Sequence, residues 1–486
     1  MESKSERLEL VTIRGTFWTY ASQYSGKILR FLTTVVLAWL LSKEDIGLAG
    51  FALVVINFLD VLSDLGVGMA LIYHRDHPLT ADTSFWISIG AGFSLFGLTW
   101  LIAPYAGAFF NDMRSVSLTR VLALTFPITA FGNVHSALLR KELEFGRKFI
   151  PDTVGSLAKG LFSILLAFMG FGAWSIVLGQ VGSSIVSVFV YWMVLPWRPT
   201  FRLVREVARK LLSYSVGIIS IDTLGVLLLN VDYLIVGRYL GAAALGVYTL
   251  AFRLPEVAIK QFCGTLSRVI FPVYAKLRDE PRKLNQAFLK TMRYVSIVTI
   301  PLGLGLALVA EPVVLTFFSK KWIEAVPVTR AISIYSLVIS LAFNAGDILK
   351  AQGRLAVMTN LALLRAAILI PALWWAATVI GSLTAVGWMQ TAIAVITSSI
   401  NLIVACRLFN TPFVKMLDSF RPAAISGVVM SLVVWGVLMV LKEASPVFQL
   451  LASVGLGGVT YVGFLWVIQR ELAIETSNLL RSAWRR

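Results

Sequence analysis

The sequence predicts an all-α integral membrane protein of about fourteen transmembrane helices, built as two parallel-repeat six-helix lobes around a central cavity plus two accessory C-terminal helices. Three observations lead there. Of 486 residues, 57% are hydrophobic and 14% charged, and the mean hydropathy is +0.80, more apolar surface than a water-soluble fold of this length can use. The apolar residues come in long unbroken runs rather than in alternation, which favours helices over a β-barrel; a helix needs roughly 20 such residues to cross the hydrocarbon core. Between the runs, loops dense in Lys and Arg alternate with sparse ones, the asymmetry that membrane insertion produces.

Charges, Pro and Gly punctuate the runs into spans near 14–41, 46–73, 84–110, 115–139, 149–170, 173–195, 211–239, 244–272, 287–310, 326–350, 357–380, 383–406, 421–441 and 446–469. The first follows M-E-S-K-S-E-R-L-E-L and lacks a short apolar core with a small-residue cleavage site, so a retained helix is expected rather than a signal peptide. Spans 1–6 make an N-lobe of residues 1–200, spans 7–12 a C-lobe of 201–410, and 411–486 the accessory pair and a tail.

Of the 43 basic residues, 28 fall on the side of the two termini, in clusters such as Arg140, Lys141, Arg147, Lys148 and Arg198, Arg202, Arg205, Arg209, Lys210. The opposite loops hold six: Lys43, Arg114, Arg238, Lys320, Lys321 and Lys442. Both termini are therefore expected in the cytoplasm, and the net charge of +17 is explained by topology and anionic lipid, without nucleic acid. Cys263 and Cys406 lie within spans and form no disulfide framework or metal pair; they are expected in the core. His74 and His77 in H-R-D-H-P have no third ligand nearby, and no metal site is expected.

Nine basic residues remain at membrane depth: Lys27, Arg30, Arg120, Lys159, Arg253, Lys260, Arg268, Arg330 and Arg365. Asp60, Asp64, Asp222, Asp232, Glu256 and Asp347 join them. Each costs about 2.5–3.5 kcal/mol at the centre of a span, so each needs a wet cavity or a partner. Ten of these fifteen lie on spans 1, 2, 7 and 8, the first two of each half, while spans 13 and 14 carry none. L-S-K-E-D-I-G-L at 41–48 and L-G-A-A-A-L-G-V at 240–247 share L-x-x-x-x-[IL]-G at the same helix junction of both halves, the mark of a parallel repeat. In A-F-R-L-P-E-V-A-I-K-Q (251–261), Arg253, Glu256 and Lys260 follow i, i+3, i+7 spacing, placing them on one helix face that Pro255 would bend. Such charges either pair across spans 1, 2 and 8 to hold the lobes together or leave a positive surplus for an anionic substrate. Arg suits phosphate because its planar fork binds two oxygens at once.

Five segments then carry a resemblance: D-V-L-S-D-L-G-V-G-M-A-L-I (60–72), L-L-R-K-E-L-E-F (138–145), G-F-G-A-W-S-I-V-L-G (170–179), N-V-D-Y-L-I-V-G-R-Y-L-G-A-A-A-L-G-V-Y (230–248) and R-V-I-F-P-V-Y-A-K-L (268–277). In order and spacing, over most of residues 10–410, the chain resembles the polysaccharide-exporter branch of the MOP flippase superfamily, nearest its Wzx-type colanic-acid and teichuronic-acid exporters. The last two spans match by hydropathy alone.

The resemblance implies a flippase of the bacterial inner membrane that carries undecaprenyl-pyrophosphate-linked oligosaccharide outward by alternating access, for surface polysaccharide assembly. It also implies a cationic cavity for the pyrophosphate and a tail site on the accessory pair. Expected pyrophosphate ligands are Lys27, Arg30 and Arg253, then Lys260. Expected cavity acids or ion-coupling groups are Asp60, Asp64, Asp222, Asp232 and Glu256. No resident cofactor is expected, with H⁺ or Na⁺ as candidate coupling ions. Partners are the lipid-linked sugar, membrane lipids, and a polymerase with its export machinery. A lipid II-type flippase and a cation-coupled small-molecule antiporter of the same superfamily stand as alternatives; the antiporter would want an acidic cavity. A membrane enzyme would carry a sizeable extracytoplasmic loop with acidic or metal-binding residues, and even the longest hydrophilic loops here are short, and cytoplasmic by the charge rule.

Overall fold

The computed structural model describes residues 25–63, 80–202, 204–409 and 411–469; for 205–224, 227 and 229 it describes the helical backbone only. Over those residues the chain is helical throughout. Helix α1 covers 25–40, followed by α2 (Lys43–Ser63), α3 (Thr80–Phe109), α4 (Arg114–Leu122), α5 (Thr125–Lys141), α6 (Phe145–Phe168), α7 (Ala173–Val194) and α8 (Arg205–Pro255). After a π turn at Glu256–Lys260 come α9 (Gln261–Lys276), α10 (Pro281–Leu308), α11 (Ala310–Phe317), α12 (Ala325–Ala351), α13 (Leu355–Trp375), α14 (Leu383–Leu408), α15 (Phe413–Val440) and α16 (Pro446–Ile468). Each expected span coincides with helix over its described part, and 12 described helices are long and apolar enough to cross a membrane.

Departures from the sequence expectation have local causes. The fourth span is broken: Pro127 has no N–H to continue the ladder, and Leu124 and Phe126 instead bond to the carbonyls of Val121 and Ala123, three residues back. Between the seventh and eighth spans, α8 turns at Gly241, whose φ of +84° is open to glycine but strained for other residues. The π turn at 256–260 adds one residue to a helical turn and rotates the helix beyond it, so Lys260 is carried off the stripe that a regular helix would share with Arg253.

Packing follows membrane rules, with small and hydroxylated residues inward and large apolar ones outward. On α16, Ser453, Gly457 and Tyr461 are buried at four-residue intervals, while Leu451, Val454, Val459 and Val462 face outward. Buried hydroxyls bond to the carbonyl one turn back, as Thr99 to Leu95 (2.6 Å) and Thr299 to Val295 (2.9 Å), which lets them sit in an apolar interior.

Contacts divide the chain into two units, Met1–Gly246 and Val247–Arg486. In the first, α6 packs along α7, α5 against α3 and α7, and α2 against α3, α4 and α7. Asp45 fastens one corner: Oδ2 accepts from the Ser42 hydroxyl (2.6 Å) and Oδ1 from the Ala173 N–H (3.1 Å), setting a carboxylate at the start of α7 where the helix dipole favours it. The two repeated junctions meet here. A Cβ on Gly47 would lie 1.7 Å from the Ala242 carbonyl oxygen, and one on Gly246 2.1 Å from that of Lys43, so the equivalent glycines of both motifs let the backbones touch. In the second unit α12 packs on α14, α10 and α9, and α15 and α16 pack together and on α10 and α11. Tyr461 crosses that seam to donate to the Ile297 carbonyl (2.8 Å). Cys263 and Cys406 are buried core residues in α9 and α14, each a free thiol.

Candidate functional site

A polar cavity of about 470 Å³ opens within the first unit. Four helices line it with nitrogen and oxygen. From α1 come Lys27 and Arg30, one turn apart. From α6 come Lys148, Asp152 and Ser156, four residues apart on one stripe. From α7 come Gln180, Ser183, Ser184, Ser187 and Tyr191, again at helical spacing, with Asn133 and Ser136 of α5 completing the wall. The stripes survive in an apolar chain because each turns toward the others: the Ser183 hydroxyl donates to the Gly155 carbonyl (2.7 Å), and Ser187 to that of Pro151 (3.3 Å). The cavity lies where α5 ends and α6 begins, and there Arg147 donates to Glu144 (2.8 Å) and to the Val194 carbonyl, tying the ends of α6 and α7.

Asp152 is the electrostatic centre. Its Oδ2 lies 2.6 Å from the Lys148 ammonium, and its Oδ1 accepts the Tyr191 hydroxyl at 2.7 Å. Lys159, one turn beyond Ser156, donates to Gln180 Oε1 (2.5 Å). Among the described residues the Arg30 guanidinium makes no hydrogen bond or ion pair, and it is exposed to the cavity. The lining therefore holds Lys27, Arg30 and Lys148 against one carboxylate. It is a basin with surplus positive charge, hydroxyl donors around it, and a size suited to a compact anionic group.

The structure thus brings together two of the four cations read from the sequence. Arg253 and Glu256 sit in the second unit and pair along the helix at 3.6 Å. Lys260 is exposed on the π turn. Asp60 is exposed near the end of α2 and accepts from Ser63 (2.8 Å). Asp232 is buried, with Oδ1 accepting the Tyr233 N–H (3.0 Å). Asp64, His74, His77 and the Asp222 side chain lie outside the described residues. Sequence reasoning missed Lys148 and Asp152, which it assigned to a loop and to none of the charged depths. The signal that finds them is the 180-183-184-187-191 polar stripe facing an i,i+4 Lys–Asp pair. Among the described residues no group of three or more His, Cys, Asp or Glu could hold a metal ion.

The fold defines the class: a multi-pass helical membrane protein whose architecture is similar to that of MOP transporters and flippases. The lipid II flippase MurJ in its inward closed conformation matches 95% of this chain and 100% of its own, with a TM-score of 0.74 at 14% identity. An inward-facing multidrug resistance MATE transporter of the MOP superfamily matches 79% and 94%, at a TM-score of 0.67 and 15% identity. A family model described as polysaccharide biosynthesis protein matches residues 36–327, and the chain belongs to that family. The teichuronic acid biosynthesis protein TuaB of Bacillus subtilis is 26% identical over 474 residues, covering 96% of this chain and 97% of the relative. The succinoglycan biosynthesis transport protein ExoT of Rhizobium meliloti is 24% identical over 473 residues, at 96% and 95% coverage. The lipopolysaccharide biosynthesis protein WzxC of Escherichia coli is 27% identical over 365 residues, 74% of each chain.

Proposed function

We propose that this chain is a flippase for polysaccharide repeat units linked to a polyprenyl diphosphate, and that the head group docks in the cavity between α1, α5, α6 and α7. The observation that carries the reading is the surplus of cations, Lys27, Arg30 and Lys148, around a hydroxyl-rich basin inside a membrane lobe. A diphosphate offers several anionic oxygens at once; Arg30 presents two parallel donors to them and the lysines follow as point charges. The seryl and amide groups beside them suit the first sugar. Family membership supplies the substrate class, and the relatives named for teichuronic acid, succinoglycan and lipopolysaccharide support a surface polysaccharide as the product.

In this reading the protein sits in the bacterial inner membrane with both termini in the cytoplasm, as the basic loops favour. The cavity lies at the end of the lobe bearing Arg140, Lys141 and Arg147, so it loads from the cytoplasm. Rocking between inward and outward states then carries the head group across while the tail stays in lipid. A polymerase with export machinery takes the product, and H⁺ or Na⁺ coupling supplies direction.

The test is leaflet exchange of a fluorescent polyprenyl-diphosphate oligosaccharide in vesicles holding the purified protein. Wild type exchanges the probe. Arg30→Ala and Lys27→Ala, each losing a charge-assisted hydrogen bond of about 1.5–3 kcal/mol, slow it by roughly 10–100-fold. Wild-type rates in both folded variants would remove the head group from this cavity and leave the flippase. Exchange of lipid II at the same rate would favour the lipid II reading, and no exchange by wild type would favour the antiporter.

A further inference from the structure

The cavity already contains an anion. Asp152 is the one carboxylate among its described lining residues, and it occupies the place where a phosphate oxygen would be most welcome, 2.6 Å from an ammonium and 2.7 Å from a phenolic hydroxyl. It is also weakly bound there. Lys148 precedes Asp152 by four residues, the order of charges that the helix dipole disfavours. The two side chains keep 21% and 32% of their surface exposed, so solvent weakens the pair further. An incoming anion can therefore take Lys148 from Asp152, while Tyr191 keeps the carboxylate in position nearby.

Such an internal anion discriminates by charge. It is tethered, so its effective concentration at Lys148 is high, and a phosphodiester with a single negative charge gains nothing by replacing it. A diphosphate brings more charge and more oxygens, and it reaches Lys27, Arg30 and Lys148 together. Ordinary anionic phospholipids vastly outnumber any lipid-linked intermediate, so an open cationic basin in a membrane needs a feature acting against them. Resting on the reading of this cavity as a head-group site, we propose that Asp152 is a specificity-determining residue, a resident counter-anion that excludes monoanionic phosphodiester lipids and yields to a diphosphate.

The experiment is a competition in nanodiscs holding the full-length protein, with a fluorescent polyprenyl diphosphate displaced by phosphatidylglycerol. Wild type releases the probe only at high phosphatidylglycerol. Asp152→Asn strengthens phosphatidylglycerol by about tenfold and the diphosphate by less than about threefold, collapsing the ratio of affinities. Asp152→Glu restores that ratio, which a merely structural role does not require. Tyr191→Phe, which frees the carboxylate from its hydroxyl, moves the ratio the same way by a smaller amount and serves if Asp152→Asn fails to fold. An unchanged ratio in a folded variant of either kind overturns the assignment while probe binding upholds the head-group site. If wild type binds polyprenyl diphosphate no better than uncharged polyprenol, the site falls and this proposal with it.

Discussion

Several of the cations at membrane depth are visibly held by a neighbour. Arg120 stacks over Trp100 at 4.5 Å, Arg365 donates to the Tyr335 hydroxyl at 3.1 Å, and Lys159 donates to Gln180. Arg330 lies 3.6 Å from Glu311 and Arg253 the same distance from Glu256. Replacing Arg365 with Met is expected to lower thermal stability by about 1 kcal/mol or less and to leave head-group selectivity unchanged, checked by unfolding in detergent beside the competition assay. A pH effect belongs to the loop between α3 and α4. The Arg114 guanidinium donates to both oxygens of Asp112, at 3.0 and 2.7 Å, and to Glu44 at 2.7 Å. The Arg114 hydrogen bond, opposed by burial, holds the Asp112 carboxyl below its ordinary range. A carboxylate with its folded value lowered stabilises the fold above the unfolded value near 3.9 and loses that contribution as pH falls through the folded value. Wild type is therefore more stable than Asp112→Asn at neutral pH, and the gap closes below about pH 4 in a series of melting curves. At this scale the sequence was half legible. Lys27 and Arg30 stood out because charge inside an apolar run is conspicuous. Lys148 falls just before the expected span 149–170 and Asp152 in its first turn, where charge passes for the edge of a loop, and the serines facing them have too little polarity to stand out in a span.

The elements were legible in extent but not in their irregularities. Hydrocarbon thickness fixes span length so strictly that apolar runs report helices almost directly. The break at Pro127 and the π turn after Pro255 leave hydropathy untouched and alter only hydrogen-bond register, which no running average detects. The repeated L-x-x-x-x-[IL]-G junctions share a property invisible in one dimension: their glycines meet. Gly47→Ala would set a methyl 1.7 Å from the Ala242 oxygen, backbone against backbone, with no side chain to yield. The expected cost is about 3 kcal/mol or more, seen as a lower melting temperature and poor recovery from detergent, whereas Gly97→Ala on α3, with nothing within 4 Å, is tolerated. Tyr461→Phe tests the α10–α16 seam: loss of its bond to the Ile297 carbonyl should cost about 1 kcal/mol with little change in exchange.

For the whole molecule, the sequence conveyed the fold class because a membrane protein announces itself in bulk composition, and the family because order and spacing of many short segments outweigh any one motif. It did not convey which polar residues converge, since that depends on four helices presenting matched polar faces. One feature of the core bears on how the molecule can be studied. Both native thiols, Cys263 and Cys406, are buried, 2% and 5% exposed, each packed within the helix bundle of its unit. To a water-soluble maleimide the folded chain behaves as though it had no cysteine, and labelling should begin only when the fold is lost. Any cysteine introduced in a loop then reports its own position alone. Placed at Asp279 and at Lys320, such reporters read sidedness in intact cells against the unaltered background. The burial that keeps the core closed also makes the natural sequence a ready blank for mapping which face looks inward.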